Sequence, residues 1–267
     1  MYDVKVRVRD LTKEFRVQIA GRDQAVRALD SISFDVGAGE LVALTGRSGC
    51  GKTTTLRIIM GLEQASAGTV EVGGRMVNRC GYDRGMVFQH AELLPWRTAL
   101  ANVEFGLEVK GVAAAERRRI ALRNLERVGL QGAMERRPYQ LSGGMKQRVG
   151  LARALAIDPE VLLMDEPFGA LDAQTRESLQ AALIDLHEQT RKTVIFVTHD
   201  LDEAVLLADR VCVFAPHGRI HETVDIGIPR PRRDVVAIRG SGEFQAKRYR
   251  IWKTLKGLDD RAPGAAS

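Results

Sequence analysis

The chain has 267 residues, 45% hydrophobic and 28% charged, enough to bury a full core as one large domain or as a core with a subdomain. Its three cysteines, Cys50, Cys80 and Cys212, are widely spaced and odd in number, which argues against a disulfide framework and for a reducing compartment. No apolar run approaches the roughly 20 residues of a membrane span, MYDVKVRVRD carries no secretory pattern, and a soluble chain is expected.

In chain order, VKVRVRD and SISFDV alternate as half-buried strands do, and GTVEVGGRMV reads as a hairpin about Gly73-Gly74. LVALTG is a short apolar run ending in glycine, the pattern of a buried strand feeding a loop, and KTTTLRIIMGL after it has helical spacing. From about 91 to 150 the sequence reads as wholly helical, a subdomain inserted into the sheet's connectivity, and it closes on SGGMKQRVGLARALA. Beyond it, VLLMDE (161–166), TVIFVTHD (193–200) and RVCVFA (210–215) are buried-strand candidates. They are separated by the helical AQTRESLQAALIDLHEQT and LDEAVLLAD. Strands alternating with helices of this length predict an α/β fold, a parallel sheet with helices on both faces. The net charge of +6 concentrates in AAERRRIALRNLERV and in the tail from residue 226 onward. A basic surface suits nucleic acid or anionic lipid, but neither cluster is interleaved with aromatics as a single-strand platform would be. A solvated helix face and a short basic tail (226–267) is the plainer reading.

The segment Gly46-Arg47-Ser48-Gly49-Cys50-Gly51-Lys52-Thr53, with Thr54 following, fits G-x-x-x-x-G-K-[ST] between a strand and a helix. Glycines there let backbone N–H groups converge on phosphates, and the helix N-terminus adds partial positive charge. Lys52 is expected to reach the β- and γ-phosphates of a nucleotide, and the Thr53 hydroxyl to ligate Mg²⁺. VLLMDE carries Asp165 and Glu166 to the C-terminal end of a strand, where ligands bind in open α/β sheets. Asp165 suits Mg²⁺, and Glu166 suits a base that activates water. TVIFVTHD delivers His199 to another strand end, in place to contact a γ-phosphate.

A second glycine-rich stretch, LSGGMKQR (141–148), lies far downstream. Ser142 is placed as the N-cap of a helix whose Gly143 and Gly144 expose backbone amides, a second anion-binding terminus. One phosphate chain has little need of two such sites in one subunit. In a two-fold dimer, Ser142 of one copy would close on the γ-phosphate held by Lys52 of the other, giving two identical sites.

GRSGCGKT, LSGGMKQR, VLLMDE, FGALD and VTHD stand in the order and spacing of the ATP-binding subunits of ATP-binding cassette (ABC) transporters, which the chain resembles over about residues 2–225. The resemblance implies a P-loop NTPase (RecA-like) core, an antiparallel β subdomain and the inserted helical subdomain. It implies ATP and Mg²⁺ as ligands, and hydrolysis of ATP to ADP and phosphate. Gln89 in GMVFQH resembles the loop glutamine that touches Mg²⁺ and links the core to the helical subdomain. Asp172 in GALD resembles a residue that crosses the dimer interface, and Phe15 in LTKEF an aromatic that stacks on adenine, with RVQIAGRDQAV after it expected as a loop. FQHAELLPWRTALANVEFGLEVKG and IGIPRPRR resemble the importers of nitrate, sulfonate, taurine and bicarbonate. By that resemblance the partners are a second ATPase subunit, membrane-spanning permease subunits and, indirectly, a periplasmic or extracellular substrate-binding protein. The place would be the cytoplasmic face of the inner membrane, with no nucleic acid. A soluble ABC-type ATPase acting on nucleic acid or ribosomes would keep the same motifs and is the rival reading.

Overall fold

In the computed structural model, residues 3–19 and 22–259 are described. The strands are β1 (Val4–Ile19), β2 (Arg22–Gly37), β3 (Leu41–Gly46), β4 (Ala67–Val72), β5 (Arg75–Met76), β6 (Arg84–Val87), β7 (Val161–Asp165), β8 (Thr193–Val197), β9 (Arg210–Ala215) and β10 (Arg219–Asp225). The α-helices are α1 (Lys52–Met60), α2 (Ala99–Val109), α3 (Ala114–Arg127), α4 (Gly143–Ala156), α5 (Ala173–Thr190), α6 (Leu201–Leu207), α7 (Val235–Gly240) and α8 (Gly242–Asp259). They fall into two compact units, one of residues 1–81 with 193–267 and one of residues 82–192.

In the first unit, period-two alternation builds an antiparallel sheet in the order β2-β1-β4-β5. Val6 lies between Val36 and Val72, and Val8 between Phe34 and Val70. That face is apolar and buried, with the charged residues turned the other way. The segment RVQIAGRDQAV is not the expected loop. The β1–β2 ladder continues through Arg16↔Ala25 and Val17↔Gln24 to Ile19↔Arg22. The reason is that Phe15, Val17 and Ile19 prolong the alternation with strand-forming residues. Beside this sheet the unit holds β9-β3-β8, all parallel, with β10 antiparallel on β9. Every residue of β3 and β8 is buried, as continuous apolar runs in parallel strands require.

The second unit pairs β6 with β7 in parallel, Gly85 opposite Leu162. β6 escapes the sequence reading because RGMV has four residues and no alternation. The expectation of helix throughout 91–150 also needs correction, since helix begins only at Ala99. Segment 91–98 is irregular for a physical reason. The buried Asn102 amide accepts from Leu94 N and donates to the carbonyls of Leu94, Arg97 and Thr98, taking up backbone groups that a helix would pair. Thr98 then caps α2, accepting from Ala101 N. Among the described residues, no helix is long and apolar enough to cross a membrane.

Candidate active site

β3 delivers the chain to the loop 46–51, and α1 starts at Lys52. Gly51 caps α1 at φ 97°, a left-handed backbone that favours glycine. A Cβ there would lie 2.5 Å from Ala28 O and from Leu29 Cδ2, so the loop packs against β2 with no room for a side chain. No side chain caps α1 and its first turn holds no acid, which leaves the positive helix end open to an anion. The Lys52 ammonium is buried under the loop and donates to Gly46 O (2.9 Å) and Arg47 O (2.8 Å). Arg47, Ser48 and Gly49 are exposed, Cys50 is buried, and Thr53 and Thr54 are half-buried on the first turn. Burial pushes the Cys50 thiol above its ordinary range.

Two further predicted residues belong to the same unit. Phe15 stands opposite Val26 in the β1–β2 ladder, and two residues further along β2 comes Ala28, whose carbonyl faces Gly51. The ladder therefore ties the half-buried Phe15 to the loop at a fixed register, with Lys13 Nζ 4.7 Å from the ring centroid. His199 follows β8, where Thr198 N donates to Leu44 O (3.2 Å), so its turn runs beside the end of β3. Thr198 Oγ1 donates to the Glu203 carboxylate (2.6 Å) and accepts from Asp200 N, and Asp200 caps α6. His199 is exposed on the turn these bonds hold.

The second unit carries the other residues. β7 places Asp165 and Glu166, both half-buried, at its C-terminal end. Glu166 has φ 45°, a left-handed backbone that costs a non-glycine residue of order 1–3 kcal/mol and clusters at functional sites. A Cβ on Gly169 would lie 3.5 Å from Glu166 Oε2 and 3.7 Å from Gln89 Nε2, so carboxylate and amide flank one point. Ser142 caps α4, its Oγ accepting from Met145 N (3.3 Å), and α4 has no acid in its first turn. Ser142 and Gly143 are exposed, whereas Gly144 is buried. A Cβ on Gly144 would meet Thr175 Cγ2 at 1.9 Å. Glycine there serves close packing on α5, beyond the exposed amide read from sequence. Asp172 caps α5, accepting from Thr175 N (3.0 Å), and that backbone bond holds its carboxyl below the usual carboxylate range.

Two residues that the motifs did not single out fix the chain around Gln89. Gln147 Nε2 donates to Phe88 O (2.8 Å), and Arg153 donates to Ala91 O (2.7 Å) and Glu92 O (2.8 Å). The signal was present, because a buried Gln147 shares the apolar face of α4 with Gly144, Leu151 and Ala154 at helical spacing.

In the first unit, an uncapped helix end and a buried lysine under a tight glycine loop suit the phosphates of a nucleotide. The profile of the ABC transporter family matches residues 29–169, more than half of the chain. The chain belongs to the ABC transporter family. This ABC cassette is 51% identical, over 254 residues, to an uncharacterised ABC transporter ATP-binding protein of Methanocaldococcus jannaschii, covering 95% of this chain and 92% of that protein. It is 43% identical to the nitrate import ATP-binding protein NrtD of Synechocystis sp., covering 94% of this chain and 95% of that protein. Among solved structures it resembles a dimeric, post-hydrolysis ATP-binding cassette bound to ADP and Pi, with TM-score 0.74 and 34% identity over 82% of this chain and 98% of that one. The cassette has the P-loop NTPase fold and is an ATPase.

Proposed function

We propose that this cassette is the energy-coupling ATPase of an importer for a small anion such as nitrate, sulfonate, taurine or bicarbonate. It acts at the cytoplasmic face of the inner membrane on permease subunits fed by a substrate-binding protein. The observation that carries the coupling is segment 89–98. Gln147 and Arg153 tie its start to α4, Asn102 fixes its end, and Trp96 is left 68% exposed. A pinned loop that begins at a nucleotide-sensing glutamine and presents an exposed tryptophan suits a partner's helix, since aromatic anchors dominate many interfaces. Near full-length similarity to a nitrate import subunit supports the anion group.

Two copies bind two ATP molecules head to tail. In each site Lys52 and the amides of the loop hold the β- and γ-phosphates, Phe15 stacks on the base, and Ser142 with Gly143 of the opposite copy closes on the γ-phosphate. The Thr53 hydroxyl, Asp165 and Gln89 would hold Mg²⁺, which when bound would supply positive charge against the phosphate oxygens. Glu166 takes the proton of a water that attacks the γ-phosphorus, and His199 contacts the departing phosphoryl group. The bond to the bridging oxygen breaks, giving ADP and phosphate. Ser142 then loses the group it shared with Lys52, so the pair opens, and Gln89 with segment 90–98 passes that opening to the permease.

Trp96→Asp tests the coupling. Isolated protein is expected to fold and hydrolyse ATP as the unsubstituted chain does, while anion uptake by vesicles holding cassette and permease falls at least about tenfold, the loss of a single anchor residue. Loss of thermal stability and ATPase activity together would mean that the segment serves the cassette's own core.

A further inference from the structure

The tail beyond β10 has no part in the chemistry above, yet it holds one of the largest fully buried side chains of the described residues, Arg232, 1% exposed. A buried cation is costly unless its donors are satisfied. Arg232 donates to Ile228 O twice, to Leu206 O (3.0 Å) and to Ala208 O (2.8 Å). Its neighbour Arg230 donates to Leu207 O (2.9 Å) and to Asp209 Oδ1 (2.9 Å). The acceptors Leu206, Leu207 and Ala208 are at the C-terminal end of α6, where carbonyls lack helical partners and cations are favoured. Asp209 Oδ2 also accepts from Leu41 N, so the same carboxylate pins the start of β3. At the other end of α6, Arg248 of α8 pairs with Asp202 in the first turn, and Phe244 and Ile251 bury the helix that carries it. Burial lowers the Arg232 guanidinium to about 10, which leaves it charged at neutral pH.

We infer that Arg230, Arg232 and Arg248 form a brace that sets the orientation of His199 through α6, so that Arg232 is a positioning residue for hydrolysis. The inference rests on the reading of His199 as the γ-phosphate contact. α6 has only seven residues, begins two residues after His199, and is too short to hold its place alone. A helix is stiff along its axis, so a grip on the carbonyls of 206–208 fixes the turn 198–200 at the opposite end. The bond that Thr198 donates to Glu203 and the one that Asp200 accepts from Glu203 N carry the constraint to the backbone on either side of His199.

The test measures kcat, the KM for ATP and thermal stability of the full chain with Arg232→Met, Arg248→Ala and the exchanged pair Asp202→Arg/Arg248→Asp. Each is made in the natural background and in His199→Ala. Arg248→Ala breaks a half-exposed pair and keeps the experiment readable if Arg232→Met fails to fold. The brace predicts a kcat lowered about three- to tenfold with KM changed less than about twofold, the size of coupling within one side-chain network. It predicts no further loss in the His199→Ala background, and recovery in the exchanged pair. Equal fold losses in both backgrounds, or unchanged kcat in Arg248→Ala, would overturn the brace alone. A His199→Ala protein with the natural kcat would overturn both the brace and the reading of His199.

Discussion

In the proposed mechanism Lys52 holds the phosphates and Glu166 activates the water that cleaves them, two roles that substitution separates. Glu166→Gln removes the acceptor of the water proton and keeps the shape, so kcat is expected to fall by about a hundredfold or more while ATP affinity stays put. Lys52→Ala removes a buried charge from the loop, and the ATP dissociation constant is expected to rise about ten- to a hundredfold. Nucleotide titration together with single-turnover hydrolysis separates the two. Away from the site, burial raises the Cys212 thiol above its ordinary 9.0 to about 11. The folded form then keeps its proton while the unfolded chain loses it, so this contribution to stability is whole below pH 9 and is lost as pH rises towards 11. Compared with Cys212→Ala in urea unfolding, the natural protein is expected to lose about 1.4 kcal/mol more per pH unit in that window. The residues of the proposed site can be named from sequence because phosphate chemistry demands particular side chains at fixed spacing. Gln147 shows only as a polar residue on the apolar face of α4, and the acceptors of Gln147 and Arg153 do not show at all, because they are backbone carbonyls.

Among the elements, α4 is the one whose start follows most directly from the chain, since Ser142 is its cap in sequence and in structure, while the structure adds Asp172 as the cap of α5. Their contact is less visible. Gly144 is required by Thr175 Cγ2, and no local pattern records which residue a helical glycine will face. Gly144→Ala is expected to cost about 1–3 kcal/mol by overpacking. Thr175→Ser in the same chain removes the obstructing methyl group and is expected to recover most of it, read as the shift in urea midpoint. Local pattern misleads in two other places. Strand alternation through Phe15, Val17 and Ile19 was masked by the glycine and charges of AGRD, and Asn102 reaches back to unwind a segment that apolar spacing alone would make helical.

At the scale of the molecule, the segment 82–192 interrupts a unit that resumes at Thr193. The first unit holds residues 46–54, Phe15 and His199, and the second holds Gln89, Asp165, Glu166, Ser142 and Asp172. The end of α1 in the first unit is uncapped and α4 in the second opens on glycines, so each offers backbone amides to an anion. The proposed head-to-tail pair uses both termini. Static light scattering of Glu166→Gln protein with ATP and with ADP tests this most directly. The pair predicts a dimer with ATP, a monomer with ADP, and a monomer in ATP once Ser142→Arg crowds the γ-phosphate while ATP still binds the subunit's own loop. A dimer that forms equally with ADP, or one that survives Ser142→Arg, would contradict it.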